Sequence, residues 1–149
     1  MPIYSLGDPD LYEALATEFG YNPGIYQLHI QNKSGEFERI KRLLDDDDQG
    51  IMYIGTSREL TSRLMTLKKS VLAAYSLDGF NVPTAHPCGT KIVQSPKFRE
   101  RFPFSCLCLT AELCDLGEVG YRENDNTKLE WRKLSEYFSR FGEFLPLNG

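Results

Sequence analysis

The chain has 149 residues, of which 41% are hydrophobic and 26% charged, and its formal net charge is −4. This composition predicts one globular domain with a real core and excludes a low-complexity chain. No apolar run approaches the ~20 residues that cross a bilayer, and the first residues lack the basic and apolar parts of a signal peptide, so we expect a cytoplasmic protein without a membrane partner.

Charge is distributed unevenly along the chain. Residues 1–50 contain four Lys or Arg against ten Asp or Glu, residues 51–103 contain eight against three, and residues 104–149 contain five against eight. The local field governs phosphate binding more than the total charge does. The basic middle block therefore keeps nucleic acid open as a partner.

A helical extension is predicted within residues 1–23. Asp8 is a candidate N-cap, Pro9 suits the first turn and Gly20 ends the helix. The apolar stripe that we assign to packing consists of Leu11, Leu15 and Phe19.

Two short runs rich in β-branched and aromatic residues, 24–30 and 50–57, are predicted strands. Between them lies an insert, residues 31–50, in which segment 37–44 could be an added strand or a helical turn. Asp45 to Asp48 could hold a metal, but they lack the spacing of a calcium loop, and adjacent like charges repel. We predict a solvated turn for this acidic run.

An amphipathic helix is predicted from Arg58 to Tyr75, with the Ser57 hydroxyl as its cap. Arg63 lies beside the apolar stripe of this helix. Tyr26 and Tyr53, on the two predicted strands, could therefore face a common surface with Arg63. A phenol can share or lose a proton, and a guanidinium can hold a phosphate at two points.

The rest of the chain is predicted as alternating loops and elements. Segments 76–90 and 111–126 are predicted loops, segment 97–101 is helical or extended, and segment 104–110 is a strand. A strongly periodic helix begins at Thr127 and ends at Gly142, and it carries Glu130 near its start.

Four cysteines in a cytosolic chain of this size predict no disulfide framework. Cys106 and Cys108 are two apart on a predicted strand and would share a face. With His86 and Cys88 they could form a zinc site, but the spacings are not those of a zinc finger. We predict buried structural thiols.

The ordered set Gly24-Ile25-Tyr26, Tyr53-Ile54-Gly55, Arg63, Glu130 and Asn148, with Arg63 eight positions after Gly55, resembles the GIY-YIG nuclease family from residue 24 to residue 148. The resemblance implies an α/β (α+β) fold, a small mixed or antiparallel β-sheet flanked by helices, with residues 1–149 as a single domain. It also implies an endonuclease that needs a divalent metal and hydrolyses phosphodiester bonds in DNA.

The resemblance also implies a role for each site residue. Glu130 would hold one Mg²⁺ or Mn²⁺ ion, Arg63 would clamp the phosphate, and Asn148 would tie the terminus into the pocket. Tyr26 would accept the proton of the attacking water while Tyr53 orients that water. This phenol could act as a base only if the metal or Arg63 lowers its pKa.

One position departs from the family pattern, because Leu67 stands where many members have Tyr or His one turn after the arginine. Lys68, Lys69 or His86 could supply the acid–base group that is missing at this position, and His86 is the most versatile of them near neutral pH. The residues that we expect to contact DNA are Gly55, Thr56, Ser57, Lys68, Lys69 and Lys91.

Two alternatives stay open: a non-catalytic interaction module with the same fold, and a zinc-binding structural protein. We expect a monomer or homodimer, and a protein partner could supply specificity.

Overall fold

The computed structural model describes residues 1–76, 86–114 and 125–148, and for residues 125–128 it describes the backbone alone. Within these ranges the chain forms a four-stranded antiparallel sheet, a two-stranded sheet and five helices, which confirms the predicted α+β fold. No helix in these ranges is long and apolar enough to cross a membrane. The elements are β1 (Tyr4–Ser5), α1 (Leu11–Phe19), β2 (Gly24–Ile30), β3 (Ile40–Lys41), β4 (Asp46–Asp47), β5 (Ile51–Ser57), α2 (Leu60–Ala74), α3 (Pro87–Val93), α4 (Pro96–Arg101), β6 (Leu107–Leu113) and α5 (Asp125–Phe141).

The main sheet has the strand order β1-β6-β2-β5, so the two strands with the tyrosine motifs are neighbours and β5 is an edge strand. Tyr26 pairs with Gly55, and Leu28 pairs with Tyr53. The register then shifts, because Met52 is an extra residue between Tyr53 and Ile51. This pairing brings Tyr26 and Tyr53 to the same face of the sheet.

The sheet separates two hydrophobic cores. On one face, Tyr26, Leu28 and Ile30 pack with the buried leucine stripe of α2. On the other face, Ile25 and Ile54 pack with residues of α5 and the C-terminal segment. The sheet is covered on both faces because successive side chains of a strand point in opposite directions.

The first two predicted helices are present. The apolar stripe of α1 is buried, as predicted, but this helix begins at Leu11, because Asp8 forms a turn in which its carboxylate accepts from the Asp10 backbone N–H at 2.9 Å. In the same way, Ser57 does not cap α2. Its hydroxyl accepts from the backbone N–H of Glu59 at 3.1 Å, in the turn that precedes the helix.

The predicted solvated turn at residues 45–48 is wrong for Asp47, whose exposure is 1%. Its carboxylate accepts hydrogen bonds from the backbone N–H groups of Gln49 and Ile51 and from the Tyr137 hydroxyl. These donors offset the cost of burying the carboxylate. Segment 37–44 contributes the short strand β3, which pairs with β4 and resolves the choice between strand and helical turn.

The predicted loop 76–90 is wrong at its end, because α3 begins at Pro87. The missed signal is Pro at the first helical position after His86, which caps the helix through its side chain. Residues 77–85 of this loop lie outside the described residues. Segment 97–101, left open between helical and extended, lies in α4.

The predicted strand 104–110 is displaced, because residues 104–106 form a 3-10 turn and β6 runs to Leu113. The predicted loop 111–126 is therefore wrong at its start, and it is also wrong at its end because α5 begins at Asp125. Residues 115–124 lie outside the described residues. Cys106 belongs to the turn, so it does not share a strand face with Cys108.

Candidate active site

The tyrosine rings of the two motifs lie together because Gly55 has no side chain. A Cβ at Gly55 would lie 2.5 Å from Cζ and Oη of Tyr26 and 2.8 Å from Cε1 of Tyr53. The two rings are stacked, with centroids 6.1 Å apart and planes at 27°. A side chain is also sterically excluded at Gly24, since a Cβ there would lie 2.5 Å from the carbonyl oxygen of Glu112 on β6. Both motif glycines thus permit a close approach.

His86 lies behind Tyr26 and is completely buried. Its Nδ1 accepts from the Cys88 backbone N–H at 3.0 Å, so Nε2 carries the hydrogen and donates to the Tyr26 oxygen at 2.8 Å. Burial and the charge of Arg63 lower the pKa of His86 to about 3, so the ring is neutral near pH 7. His86 is therefore a buried, neutral partner of Tyr26, whereas we expected it to replace the Tyr or His missing one turn after Arg63.

The loop that carries His86 is locked onto α2. The backbone N–H of His86 donates to the Ser70 hydroxyl at 3.0 Å, and a Cβ at Gly89 would lie 2.8 Å from the Cβ of Ser70. Cys88 is also buried against this helix layer. The position of His86 is therefore set by packing between α2 and α3.

Arg63 acts on both phenols and on His86 through its charge. Burial raises the pKa of Tyr26 to about 12, although the nearby guanidinium of Arg63 lowers it. Burial also raises the pKa of Tyr53, and the neighbouring Tyr26 and Glu130 add to the rise. Both phenols are protonated near neutral pH, so Arg63 alone does not make Tyr26 a base.

Glu130 is held at the outer edge of β5 by Thr56. The Thr56 hydroxyl donates to Oε2 of Glu130 at 3.2 Å, and the Thr56 backbone N–H also bonds this carboxylate. Burial raises the pKa of Glu130, while Thr56 and the charge of Arg63 lower it. The Glu130 charge in turn raises the pKa of Tyr26 and Tyr53, so the four predicted side chains lie within electrostatic reach of each other.

This arrangement differs from a simple helix-end carboxylate. Glu130 lies in the second turn of α5, beyond the first turn where the helix dipole acts most strongly. In the described part of the chain, Arg63 forms no ion pair with Glu59, which lies four residues before it.

Asn148 binds the backbone of β5. Its Oδ1 accepts from the Ile54 N–H and its Nδ2 donates to the Ile54 carbonyl, each at 2.9 Å. Leu147 adds a backbone bond to the carbonyl of Met52 at 3.2 Å. The amide of Asn148 thus closes the outer edge of the strand between the positions of Tyr53 and Gly55.

The three lysines that we expect to contact DNA make no bond to the site residues that the structure describes. Lys68 donates to the carbonyl of Asp8 at 2.9 Å, Lys69 is exposed on α2, and Lys91 is half-buried on α3. Across residues 1–76, 86–114 and 129–148, none of them forms a hydrogen bond or ion pair with the tyrosines, Arg63 or Glu130. Leu67 is fully buried in the core, so the position one helical turn after Arg63 supplies no polar side chain to the site.

Comparisons with known proteins were made for the whole chain. No family model, no curated protein and no solved structure matches it significantly. Membership of the GIY-YIG family therefore stays a prediction that rests on the motifs and their geometry.

The single carboxylate of Glu130 fits a magnesium site. Among the described residues no group of three or more His, Cys, Asp or Glu side chains could hold a metal. Mg²⁺ is commonly bound by one or two carboxylates with phosphate oxygens and water, so it needs no larger cluster. The proposed zinc ligands are divided, because Cys88 packs on the α2 face while Cys108 alternates with Leu107 and Leu109 of that core and lies on the opposite face.

A buried polar cluster, which sequence reasoning missed, attaches α5 to the sheet; we name it the clasp, and it consists of Arg42, Asp47 and Tyr137. The Tyr137 hydroxyl donates to Oδ2 of Asp47 at 2.8 Å. Arg42 donates to the Ile51 carbonyl at 2.8 Å, and its Nη2 lies 3.9 Å from Asp47. Tyr137 lies two helical turns after Glu130, so the clasp fixes the helix that carries the candidate metal ligand.

Proposed function

We propose that this chain is a GIY-YIG endonuclease that requires a divalent metal and hydrolyses phosphodiester bonds in DNA. The observation that carries the proposal is the meeting of two phenols, a guanidinium and a carboxylate at one end of the β2–β5 pair. These groups come from two strands and two helices. A packed pair of core tyrosines would need neither Arg63 nor Glu130 beside it.

Hydrolysis of a phosphodiester needs a positioned water, neutralisation of charge on the phosphoryl oxygens and stabilisation of the leaving alkoxide. Arg63 supplies the cation and can bind two phosphate oxygens in its fixed geometry. Glu130, oriented by Thr56, would hold Mg²⁺ or Mn²⁺, which when bound supplies Lewis acidity.

Tyr26 enters this chemistry as a protonated phenol. Because His86 already donates to its oxygen, the hydroxyl hydrogen of Tyr26 points elsewhere and can donate to a water or a phosphate oxygen. We assign it the role of orienting the water, with Tyr53 packed beside it. Since both phenols are buried, substrate approaches from the side of Arg63 and Glu130, which are half-exposed.

Plasmid nicking tests the proposal. We expect nicking of supercoiled DNA with Mg²⁺ or Mn²⁺ and none with a chelator. Glu130→Gln keeps the size of the side chain but removes its charge, and it should reduce nicking by about 10²-fold or more, as is typical for loss of an electrostatic catalytic group.

The matched control is Glu136→Gln on the same helix, because Glu136 lies on the surface beside Lys133. This variant should nick at the normal rate, and both variants should keep the melting temperature of the wild type. Undiminished cleavage by Glu130→Gln would remove Glu130 from the mechanism.

The burial of both phenols favours one second candidate, a non-catalytic interaction module with the same fold. In this case Tyr26, Tyr53 and His86 would be core residues whose shifted pKa values reflect packing alone. The module predicts no cleavage of supercoiled, linear or branched DNA with either metal. Metal-dependent nicking that is lost in Glu130→Gln would exclude it.

A further inference from the structure

Helix α5 and the segment after it expose three aromatic side chains, which we name the aromatic ridge: Trp131, Phe138 and Phe144. Their exposures are 68%, 42% and 65%. Trp131 and Phe138 are seven residues apart, so they lie on the same side of the helix. The ring of Phe138 lies 4.7 Å from the ring of Phe144, which makes the second half of the ridge continuous.

The ridge begins where the candidate active site ends. Trp131 directly follows Glu130, whose carboxylate is bonded to Thr56. Seven residues of helix span about 10 Å, which is about three times the ~3.4 Å rise between stacked bases of DNA. A strand whose phosphate lies at Glu130 and Arg63 could therefore continue along the ridge.

One exposed arginine lies beside the ridge, because Arg132 directly follows Trp131. Arg140 lies about two and a half turns after Trp131, on the other side of the helix, where it pairs with Asp45 at 3.9 Å. The charge of Glu136 is matched by Lys133 at 3.9 Å. Exposed aromatic rings with a cation beside them are typical of surfaces on which unpaired bases stack, because every base has an apolar face.

We propose that the aromatic ridge binds unpaired nucleotides of the substrate, so that the preferred DNA has a single-stranded segment next to the phosphate that is cleaved. The inference rests on the proposed function for the position of that phosphate. Stacking on the ridge, however, can be measured without cleavage.

The fluorescence of Trp131 reports stacking directly, because the chain contains one tryptophan. The full chain, kept in chelator, is titrated with an oligothymidylate of about ten nucleotides, which lies within the usual range of site sizes. A duplex of the same length is titrated in parallel. We expect saturable quenching by the single strand, much weaker quenching by the duplex, and loss of binding as salt is raised.

Binding of a labelled oligothymidylate tests the variants by fluorescence anisotropy. Trp131→Ala and Phe138→Ala should each weaken binding about tenfold, which is within the range for loss of one stacked base. Tyr12→Ala is the matched control, because Tyr12 is exposed on α1, on the other side of the sheet. It should bind as the wild type does, and all three variants should melt like the wild type.

Each result separates the ridge from the nuclease. Equal quenching by duplex and single strand overturns the preference for unpaired nucleotides. Normal nicking without quenching overturns the ridge and leaves the proposed function. Quenching and weaker binding by the variants, without nicking, keep the ridge and overturn the nuclease. Self-association that Trp131→Ala abolishes, without any effect of the oligonucleotide, assigns the ridge to a second copy and overturns the inference.

Discussion

The behaviour of Tyr26 is set by neighbours that act in opposite directions. Burial favours the neutral phenol, whereas Arg63 and the hydrogen bond from His86 favour the phenolate. Burial prevails, so Tyr26 is a hydrogen-bond donor near neutral pH. Each donor to its oxygen also fixes the direction of the remaining hydrogen, which is what a water-orienting residue requires.

His86 makes the protein sensitive to acid. Its pKa is about 3 in the folded state against 6.5 ordinarily, so between these values the unfolded chain binds more protons. The contribution of neutral His86 to the free energy of unfolding is fully present above about pH 6.5 and is lost as the pH falls toward 3. We expect His86→Gln, which cannot titrate, to lose less stability than the wild type on acidification.

Urea unfolding at about pH 7 and about pH 4.5 measures this difference. His29 is also buried with a lowered pKa, so the variant keeps part of the acid sensitivity. The comparison of wild type with variant therefore isolates His86. Equal losses in both proteins would show that His86 is not buried neutral.

The resemblance to the GIY-YIG family implied Tyr26, Tyr53, Arg63 and Glu130 as site residues, because the two tripeptides and the positions that follow them match the family's order. The buried position of His86 did not follow, because it depends on the packing of α3 against α2.

At the level of elements, the clasp connects the insert to α5. Asp47 is one of four adjacent aspartates, and the sequence cannot rank them, because the choice is made by Tyr137, ninety residues away. The periodicity of α5 was visible in the sequence, but its attachment to β5 was not. The start of β6 is a similar case. The alternation of apolar and polar residues fits several strand starts, and the pairing of Ile30 with Leu107 determines which one is used.

Removal of the Tyr137 hydroxyl tests whether the clasp positions Glu130. Tyr137→Phe takes one donor from the buried Asp47 and should cost about 1 kcal/mol of unfolding free energy. It should also raise the Mg²⁺ concentration needed for half-maximal nicking, because α5 is held less firmly.

The control is Tyr12→Phe, since the Tyr12 hydroxyl bonds only at the surface, to Tyr21. We expect a change within about 0.5 kcal/mol and normal metal dependence. A stability loss in Tyr137→Phe without a change in metal dependence would make the clasp structural only.

For the molecule as a whole, the last residues complete the sheet. Asn148 both accepts from and donates to the backbone of Ile54, a pairing that only an amide side chain can make. The family resemblance implied a role for Asn148 at the terminus but not this partner, because the edge position of β5 is a property of the assembled sheet.

Asn148→Asp tests this closure. A carboxylate can accept from the Ile54 N–H but cannot donate to its carbonyl, so we expect a loss of about 1–3 kcal/mol in urea unfolding. Asn32→Asp is the control, because Asn32 only accepts, through Oδ1, from Ser34 and Glu36. A loss in Asn32→Asp as large as that in Asn148→Asp would argue against the two-way bond.

The closure of β5 also limits how copies of this protein can associate. Along the outer side of β5, the carbonyl of Met52 and both backbone groups of Ile54 form hydrogen bonds with the C-terminal segment. The backbone N–H of Thr56 bonds the carboxylate of Glu130. The opposite flank ends in the two-residue strand β1, which offers little template for a foreign chain. Growth of the main sheet from molecule to molecule through either of its edges is thereby discouraged.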